Sequence, residues 1–242
     1  MSTYNLTAAQ LKGEGILNSF EIPAVGSFSN LYSVDFDGVD DSVETDIDID
    51  ATNGVTVSLW VKAPNSGTAG GLITSNGIAG GANSTLNFDI KADGRLFHRI
   101  AGASLNTGVT GLMDGDWHHL IILINYATDD ITFFKDGSSA GNTMGFGSLY
   151  STINFKALAR AASFYYNGFA DEFAIFKSVL SSSNVSTIYN SGVPNNLNNL
   201  STPPFLWWRF EEGSGTTVND NGTGGNNGTL ENGTAYSTDV PS

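Results

Sequence analysis

The acidic side chains fall into two arrangements, and each points to a different chemistry. Glu44, Asp46, Asp48 and Asp50 occupy every second position of one stretch. Alternate residues of a strand project to the same face, so two such carboxyls are placed for paired-acid cleavage of a glycosidic bond, which in its retaining form needs them about 5–5.5 Å apart. The residues between them, Val43, Thr45, Ile47 and Ile49, are apolar or β-branched. That is the pattern of a half-buried edge strand with a solvated acidic face, and the expectation is no catalysis. The second arrangement is the turn Asp37-Gly38-Val39-Asp40-Asp41, with the pair Asp171-Glu172 further along. Calcium takes about six to eight hard oxygen ligands, and an Asp-rich turn with free carbonyls supplies several at once. Asp37, Gly38, Asp40, Asp41, Asp171 and Glu172 are therefore the candidate metal set, with calcium as a structural cofactor. Their other reading is as turn caps that face solvent.

The remaining candidates are rings. His118 and His119 are adjacent beside Trp117, so on a strand their imidazoles point to opposite faces and cannot share one ion. With His98 the only other histidine, no zinc site of ordinary ligand spacing appears. Tyr150, Phe164, Tyr165 and Tyr166, close to Asn167, are candidates for sugar binding. Flat rings pack on the C–H faces of sugars while nearby amides take the hydroxyls. The Tyr165-Tyr166 pair is open to two further readings, as the edge of a core or as a contact between subunits.

Composition narrows the partners. Lys+Arg 10 against Asp+Glu 24 gives a formal net charge of −14, which repels phosphate backbones, so nucleic acid is excluded as a ligand. Cysteine is absent, which removes disulfide and thiolate chemistry. No apolar run approaches the roughly 18 residues of a membrane span, and the opening residues lack the basic-then-apolar pattern of a secretion signal. Work outside a cell would then follow lysis, assembly into a particle, or release from a longer precursor.

The elements that must position these groups are strands. Gly 29 together with many Asn, Ser and Thr residues supplies turns at short intervals. In Val55–Val61, Val55, Val57, Leu59 and Val61 face one way and Trp60 the other. Further strands are predicted over Leu86–Lys91, Arg95–Ile100, Trp117–Asn125, Asp130–Lys135, Phe155–Arg160 and Phe169–Phe176, with Asp93-Gly94 and Asp136-Gly137 at hairpin turns. One short helix is predicted near Ser183–Tyr189, entered through serines and stopped by Gly192 and Pro194.

Phe36-Asp-Gly-Val-Asp-Asp-Ser-Val43, Ser58-Leu-Trp-Val61, Asp116-Trp-His-His-Leu120, Ile131–Gly137 and Asn167–Phe176 together resemble the concanavalin A-like, laminin-G-like jelly-roll family over about Leu31 to Pro194. The resemblance implies an all-β, antiparallel two-sheet sandwich that binds or assembles more than it catalyses. It also implies calcium at a sandwich rim. The acids from Glu44 resemble the catalytic cluster of jelly-roll glucanases, but an Asp stands where the enzymes have their last Glu, and the strand follows the Phe-Asp-Gly motif.

Residues 1–30 are expected to form an N-terminal arm, 31–194 the sandwich, and 195–242 a linker and strand-forming tail. The Gly- and Asn-rich part of the tail reads as loop. However, Trp207-Trp-Arg-Phe-Glu-Glu212 and the residues after it resemble a strand that family members place before the Phe-Asp-Gly strand. Trp207, Trp208 and Phe210 are thus expected in a strand over Leu206–Glu211 that closes this sandwich or a neighbour's. The arrangement resembles laminin-G-like structural proteins of marine bacteriophages. It implies a non-enzymatic structural or adhesive component of a virion or other extracellular assembly, with homo-oligomers or assembly proteins as partners. A calcium-dependent lectin that binds a surface glycan is the alternative, and a glycan-cleaving enzyme is the third reading.

Overall fold

The stretches of period two become strands, and hairpin turns lie between many of them. The computed structural model describes residues 28–67, 70–75, 86–100, 103–145, 152–161 and 163–242; Tyr150 and nearly all of the expected arm lie outside them. In chain order the strands begin with β1 (Ser33–Asp37), β2 (Ser42–Asp50), β3 (Val55–Lys62), β4 (Gly71–Ser75), β5 (Phe88–Ile90) and β6 (Leu96–Ile100). They continue with β7 (Ala103–Asn106), β8 (His118–Asn125), β9 (Asp130–Lys135), β10 (Ser138–Gly145), β11 (Thr152–Leu158), β12 (Arg160–Ala161), β13 (Phe164–Tyr165) and β14 (Asn167–Phe176). The helix α1 (Ser182–Tyr189) is followed by β15 (Leu206–Trp208), β16 (Thr217–Val218), β17 (Gly228–Glu231) and β18 (Ala235–Ser237). Among the described residues no helix is long and apolar enough to cross a membrane.

Two antiparallel sheets form the sandwich. The first runs β10-β9-β8-β3-β14-β1-β18, with β15 also on β14. The second runs β16-β17-β2-β11-β4-β5-β6-β7, and β12-β13 is a separate hairpin. Val55, Val57, Leu59 and Val61 of β3 and Leu120, Ile122 and Ile124 of β8 pack inward against Val43, Ile47 and Ile49 of β2 and Phe155 of β11. The outer face of the first sheet is apolar as well: Ile121, Leu123, Ala174 and Phe176 pack under Val185 and Ile188 of α1, with Trp207 alongside. The helix starts where Ser181 accepts a hydrogen bond from the Asn184 amide and ends at Asn190, whose φ of 47° is left-handed.

Two expectations are corrected. The acidic strand β2 is an interior strand, because β17 from the tail pairs with it on one side and β11 on the other. The Gly- and Asn-rich tail is accordingly folded: its strands β16 and β17 extend the second sheet, while β15 and β18 join the first. The strand expected over Leu206–Glu211 stops at Trp208, and Phe210 just beyond it has φ 59°. Trp208 and Phe210 are fully buried and Trp207 nearly so, so the tail closes its own sandwich.

β14 is divided by a bulge. Its register against β3 shifts between Asp171 and Ala174, where Glu172 adopts φ 49°. Before the bulge its free edge pairs with β1, and after it with β15. The extra residue lets Ala170 and Phe173 both reach the inner core although they are three apart.

Candidate functional site

The β5-β6 hairpin fixes one wall of the candidate site. Lys91 and Arg95 close the turn, with Gly94 N donating to Lys91 O at 2.8 Å and Lys91 N to Arg95 O at 2.9 Å. Asp89 then pairs with Phe97. Phe88, Ile90 and Leu96 belong to the core, so strand alternation turns Asp89, Lys91, Arg95, Phe97 and Arg99 to the other face. Lys91 and Arg95 both lie over the Phe97 ring, at 5.6 and 5.4 Å. Asp89 Oδ2 accepts from Lys91 Nζ at 3.0 Å and lies 3.4 Å from Arg99 Nε. Asp89 Oδ1 is buried and has no hydrogen-bond partner.

The facing wall is the β12-β13 hairpin. It sits against glycines at the entry to β4: a Cβ on Gly70 would stand 1.9 Å from the Tyr165 carbonyl oxygen, so no other residue fits there. Phe164 is left 58% exposed. The Arg99 guanidinium lies 5.4 Å from its ring centroid, and Arg160 lies 5.5 Å from that of Tyr165. Between the walls is a cavity of about 360 Å³ lined by Gly38, Gly70, Asp89, Lys91, Phe164 and Tyr165, among others.

Gly38 brings the acidic turn to this cavity. Its φ is 77°, and a Cβ there would come within 2.8 Å of Asn167 Cβ. Asp37, Asp40 and Asp41 bring one carboxylate oxygen each to within 4.8 Å of one another. Asp37 Oδ1 accepts from Val39 N and Asp41 Oδ2 from Asp37 N, so both residues cap the turn as well. Burial, joined by the charges of Asp37, Asp40 and Asp35, pushes the Asp41 carboxyl up, while its bond from the Asp37 amide pulls it down. Asp35 is pushed up too, by burial and then by Asp37 and Asp239.

The structure does not bring all the expected site residues together. Asp171 and Glu172 lie in the β14 bulge, away from the turn and buried. Asp171 Oδ2 accepts from Asn30 Nδ2 at 2.8 Å, and Glu172 accepts from Trp207 Nε1 at 2.6 Å and Arg209 Nε at 3.2 Å. Burial raises both carboxyls, Glu172 to about 8 against the pull of Arg209. They form a structural network that also holds the chain entering β1: Arg209 donates to Ser29 O and stacks on Phe28, and Glu211 Oε1 accepts from Leu31 N and Tyr32 N. Tyr166, expected on an exposed aromatic loop, is instead fully buried with its ring edge-on to Phe36 and its hydroxyl donating to Phe169 O. One residue separates two fates, because Tyr165 precedes β14 on the hairpin and Tyr166 turns into the core. Phe164 and Tyr165 stay at the cavity, and Asn167 pairs with Asp37 beside it.

The acids of β2 are tied to neighbours. Arg160 pairs with Glu44, Lys156 with Asp46, and Asn154 Nδ2 donates to both Asp46 and Asp48. The adjacent histidines do diverge. His118 lies between Asp136 and Asp114, at 2.9 and 3.1 Å, whereas His119 is buried with Nε2 2.9 Å from Ser58 Oγ and its ring against Trp60.

Sequence reasoning missed Asp89, Lys91 and Arg99. The signal was present: an Asp93-Gly94 turn sets a register that places all three on one face, and an Asp between Phe88 and Ile90 is flanked there by cations. What the strand pattern could not convey is that β12-β13 lies across a cavity from this carboxylate.

The profile of the Laminin G 3 family, described as the concanavalin A-like lectin/glucanases superfamily, matches residues 37–186. A crystal structure from Bacteroides ovatus, named as a candidate carbohydrate-binding protein, superposes with a TM-score of 0.64 at 13% identity and covers 88% of this chain. This chain spans 62% of that protein's length. The heptameric SAP-like pentraxin of Limulus polyphemus has a TM-score of 0.52 at 15% identity, covering 67% of this chain and 84% of its own. At these identities the likeness establishes a shared fold. A search of the curated proteins finds no match.

Proposed function

Because the chain belongs to the concanavalin A-like lectin/glucanases superfamily, we propose that it is a glycan-binding module that holds its ligand in the cavity between the two hairpins and does not cleave it. The observation that carries this reading is Phe164: a large ring left 58% exposed at the wall of a cavity that also offers a carboxylate and an ammonium group. An exposed ring beside paired polar groups is how a protein reads a sugar, which has an apolar face and a rim of hydroxyls. The absence of cleavage is supported by the β2 acids, whose carboxylates are engaged by Arg160, Lys156 and Asn154.

Calcium belongs to the proposal through the turn that supplies Gly38. Three carboxylates within 4.8 Å of one another offer the hard anionic oxygens calcium takes, with water free to complete the shell. The ion would offset the burial and the neighbouring charges that together raise Asp41 and would stiffen the Gly38 wall. In the virion or other extracellular assembly implied by the phage resemblance, such a module would be the adhesive element, with further copies or assembly proteins as its other partners.

Glycan microarrays followed by titration calorimetry test the reading. Binding is expected, reduced at least about tenfold by Phe164→Ala, since a stacked ring is worth roughly 1.5 kcal/mol or more. It should weaken in chelator, and no reducing ends should appear. Full affinity in Phe164→Ala, or sugar release lost in Glu44→Gln, would refute it.

A further inference from the structure

The cavity presents both signs of charge within one hydrogen-bond length. We infer that it selects neutral glycans by reading two adjacent hydroxyls, one donating to Asp89 Oδ1 and its neighbour accepting from Lys91 Nζ; this deepens, and rests on, the glycan-binding reading above. Asp89 is 2% exposed, and both it and Lys91 line the cavity. Its Oδ2 is taken by Lys91 and Arg99, but Oδ1 is left without a partner. A buried carboxylate oxygen with no donor is costly, and a ligand O–H or N–H reaching it from the cavity would remove that cost.

The charges around that oxygen decide what kind of donor fits. An anionic ligand group, such as a uronate or sulfate, would bring its oxygens against Asp89 Oδ1 in a low-dielectric pocket, where like charges repel strongly. The nearby cations do not form an open anion trap. Lys91 and Arg99 are paired with Asp89, Arg95 with Asp93, and Arg160 with Glu44, within a chain of net charge −14. An ammonium donor would satisfy Oδ1 but would meet Lys91 and Arg99 at once. A neutral group that donates and accepts side by side meets neither penalty. Adjacent hydroxyls on a sugar ring lie close to a hydrogen-bond length apart, and Lys91 Nζ is 3.0 Å from Oδ2, the other oxygen of the carboxylate whose Oδ1 takes the donor. Lys91 has two further protons to offer beyond the one given to Asp89, and Phe164 then covers the C–H face of the same ring.

The experiment compares neutral polysaccharides (galactan, mannan, β-glucan) with acidic ones (alginate, polygalacturonate, carrageenan) against the full chain at physiological salt. At least one neutral glycan should bind at least about tenfold more tightly than any acidic one. Asp89→Asn should lower that affinity roughly ten- to a hundredfold, as loss of a hydrogen bond to a charged group does. Lys91→Met, at a side chain 42% exposed, should lower it in the same direction while the chain stays folded, since Arg99 still pairs with Asp89, so the test survives if Asp89→Asn folds poorly. Competition by a deoxy sugar lacking one of the two hydroxyls should fail. Phe164-dependent binding of an acidic glycan with equal or greater affinity would overturn the neutral-diol inference and leave the glycan-binding reading standing. Full affinity for the neutral glycan in Lys91→Met would also overturn it. Binding of neither class would overturn both.

Discussion

His118 and His119 are neighbours in sequence and opposites in charge. Hydrogen bonding to Asp136, helped by Asp114, raises His118 above the ordinary imidazole range despite partial burial. Complete burial lowers His119 to about 3, with the Asp136 charge only partly opposing it. The consequences for stability have opposite signs. The His118 contribution is fully present below about pH 6.5, the unfolded value, and is lost as pH rises through its raised folded value. The His119 contribution is fully present above that unfolded value and is lost as pH falls from there toward about 3. We therefore expect the melting temperature to drop on acidification, with stability falling by at most about 1.4 kcal/mol per pH unit from this group. His119→Gln, which cannot titrate, should show a shallower acid limb in scanning calorimetry; an unchanged limb would mean that other groups carry it. The divergence of the two rings was legible from strand periodicity alone. Their environments were not, since Asp114, Asp136, Ser58 and Trp60 reach them from other parts of the chain.

At the scale of elements, alternation was a good guide wherever strands were regular. Asp130–Lys135 is observed as expected, and Val55–Val61 differs only by one residue at its end. Irregular backbone defeated it. Nothing in Asp171-Glu172 signals a bulge, because Glu172 holds a left-handed conformation without being glycine; its hydrogen bonds to Trp207 and Arg209 offset the strain. For the same reason this pair does not join Asp37, Asp40 and Asp41, since the bulge turns both carboxyls into a buried network. The tail misled in the other direction. Glycine and asparagine over 213–234 read as loop, yet Gly228 lets β17 approach so closely that a Cβ there would lie 2.8 Å from Trp208 and Val43 side-chain atoms. Removing residues 205–242 should expose the β2 edge and the Phe155 and Phe173 rings that Trp208 covers, giving aggregation instead of a cooperative melt. Trp208→Ala alone should cost about 3–5 kcal/mol in urea unfolding. A truncated chain that stays monomeric with an unaltered melting temperature would refute this.

For the whole molecule, a net charge of −14 makes self-repulsion a standing cost, concentrated where Asp35, Asp37, Asp40, Asp41 and Asp239 approach one another. An ion that binds the folded state alone stabilises it by mass action. Calcium is expected to raise the melting temperature relative to chelator, and Asp41→Asn should abolish the difference. Identical melting in both buffers would remove calcium from the account. The acidic turn could be read directly from sequence, whereas its place beside the hairpin cavity depends on Gly38 packing against Asn167 across two strands.

The pairing of β1 with β18 fixes how the molecule can be mounted. Ser33, where the chain enters β1, is opposite Ser237, where it leaves β18, and the last residues then cross the outer face of the first sheet, where Asp239 pairs with Lys62 and Trp117 and Ser242 lies beside Trp60 and His118. Gly38 follows immediately after Asp37 at the far end of β1, some 15 Å away at about 3.3 Å per residue, and it is a wall of the cavity. Anything joined to the C-terminal end therefore leaves beside the first sheet, whereas the cavity is walled by the β5-β6 hairpin of the second. Chains immobilised through a C-terminal tag should retain their full ligand capacity in surface plasmon resonance, whereas chains coupled through a cysteine placed at Ser163, on the cavity wall, should lose it.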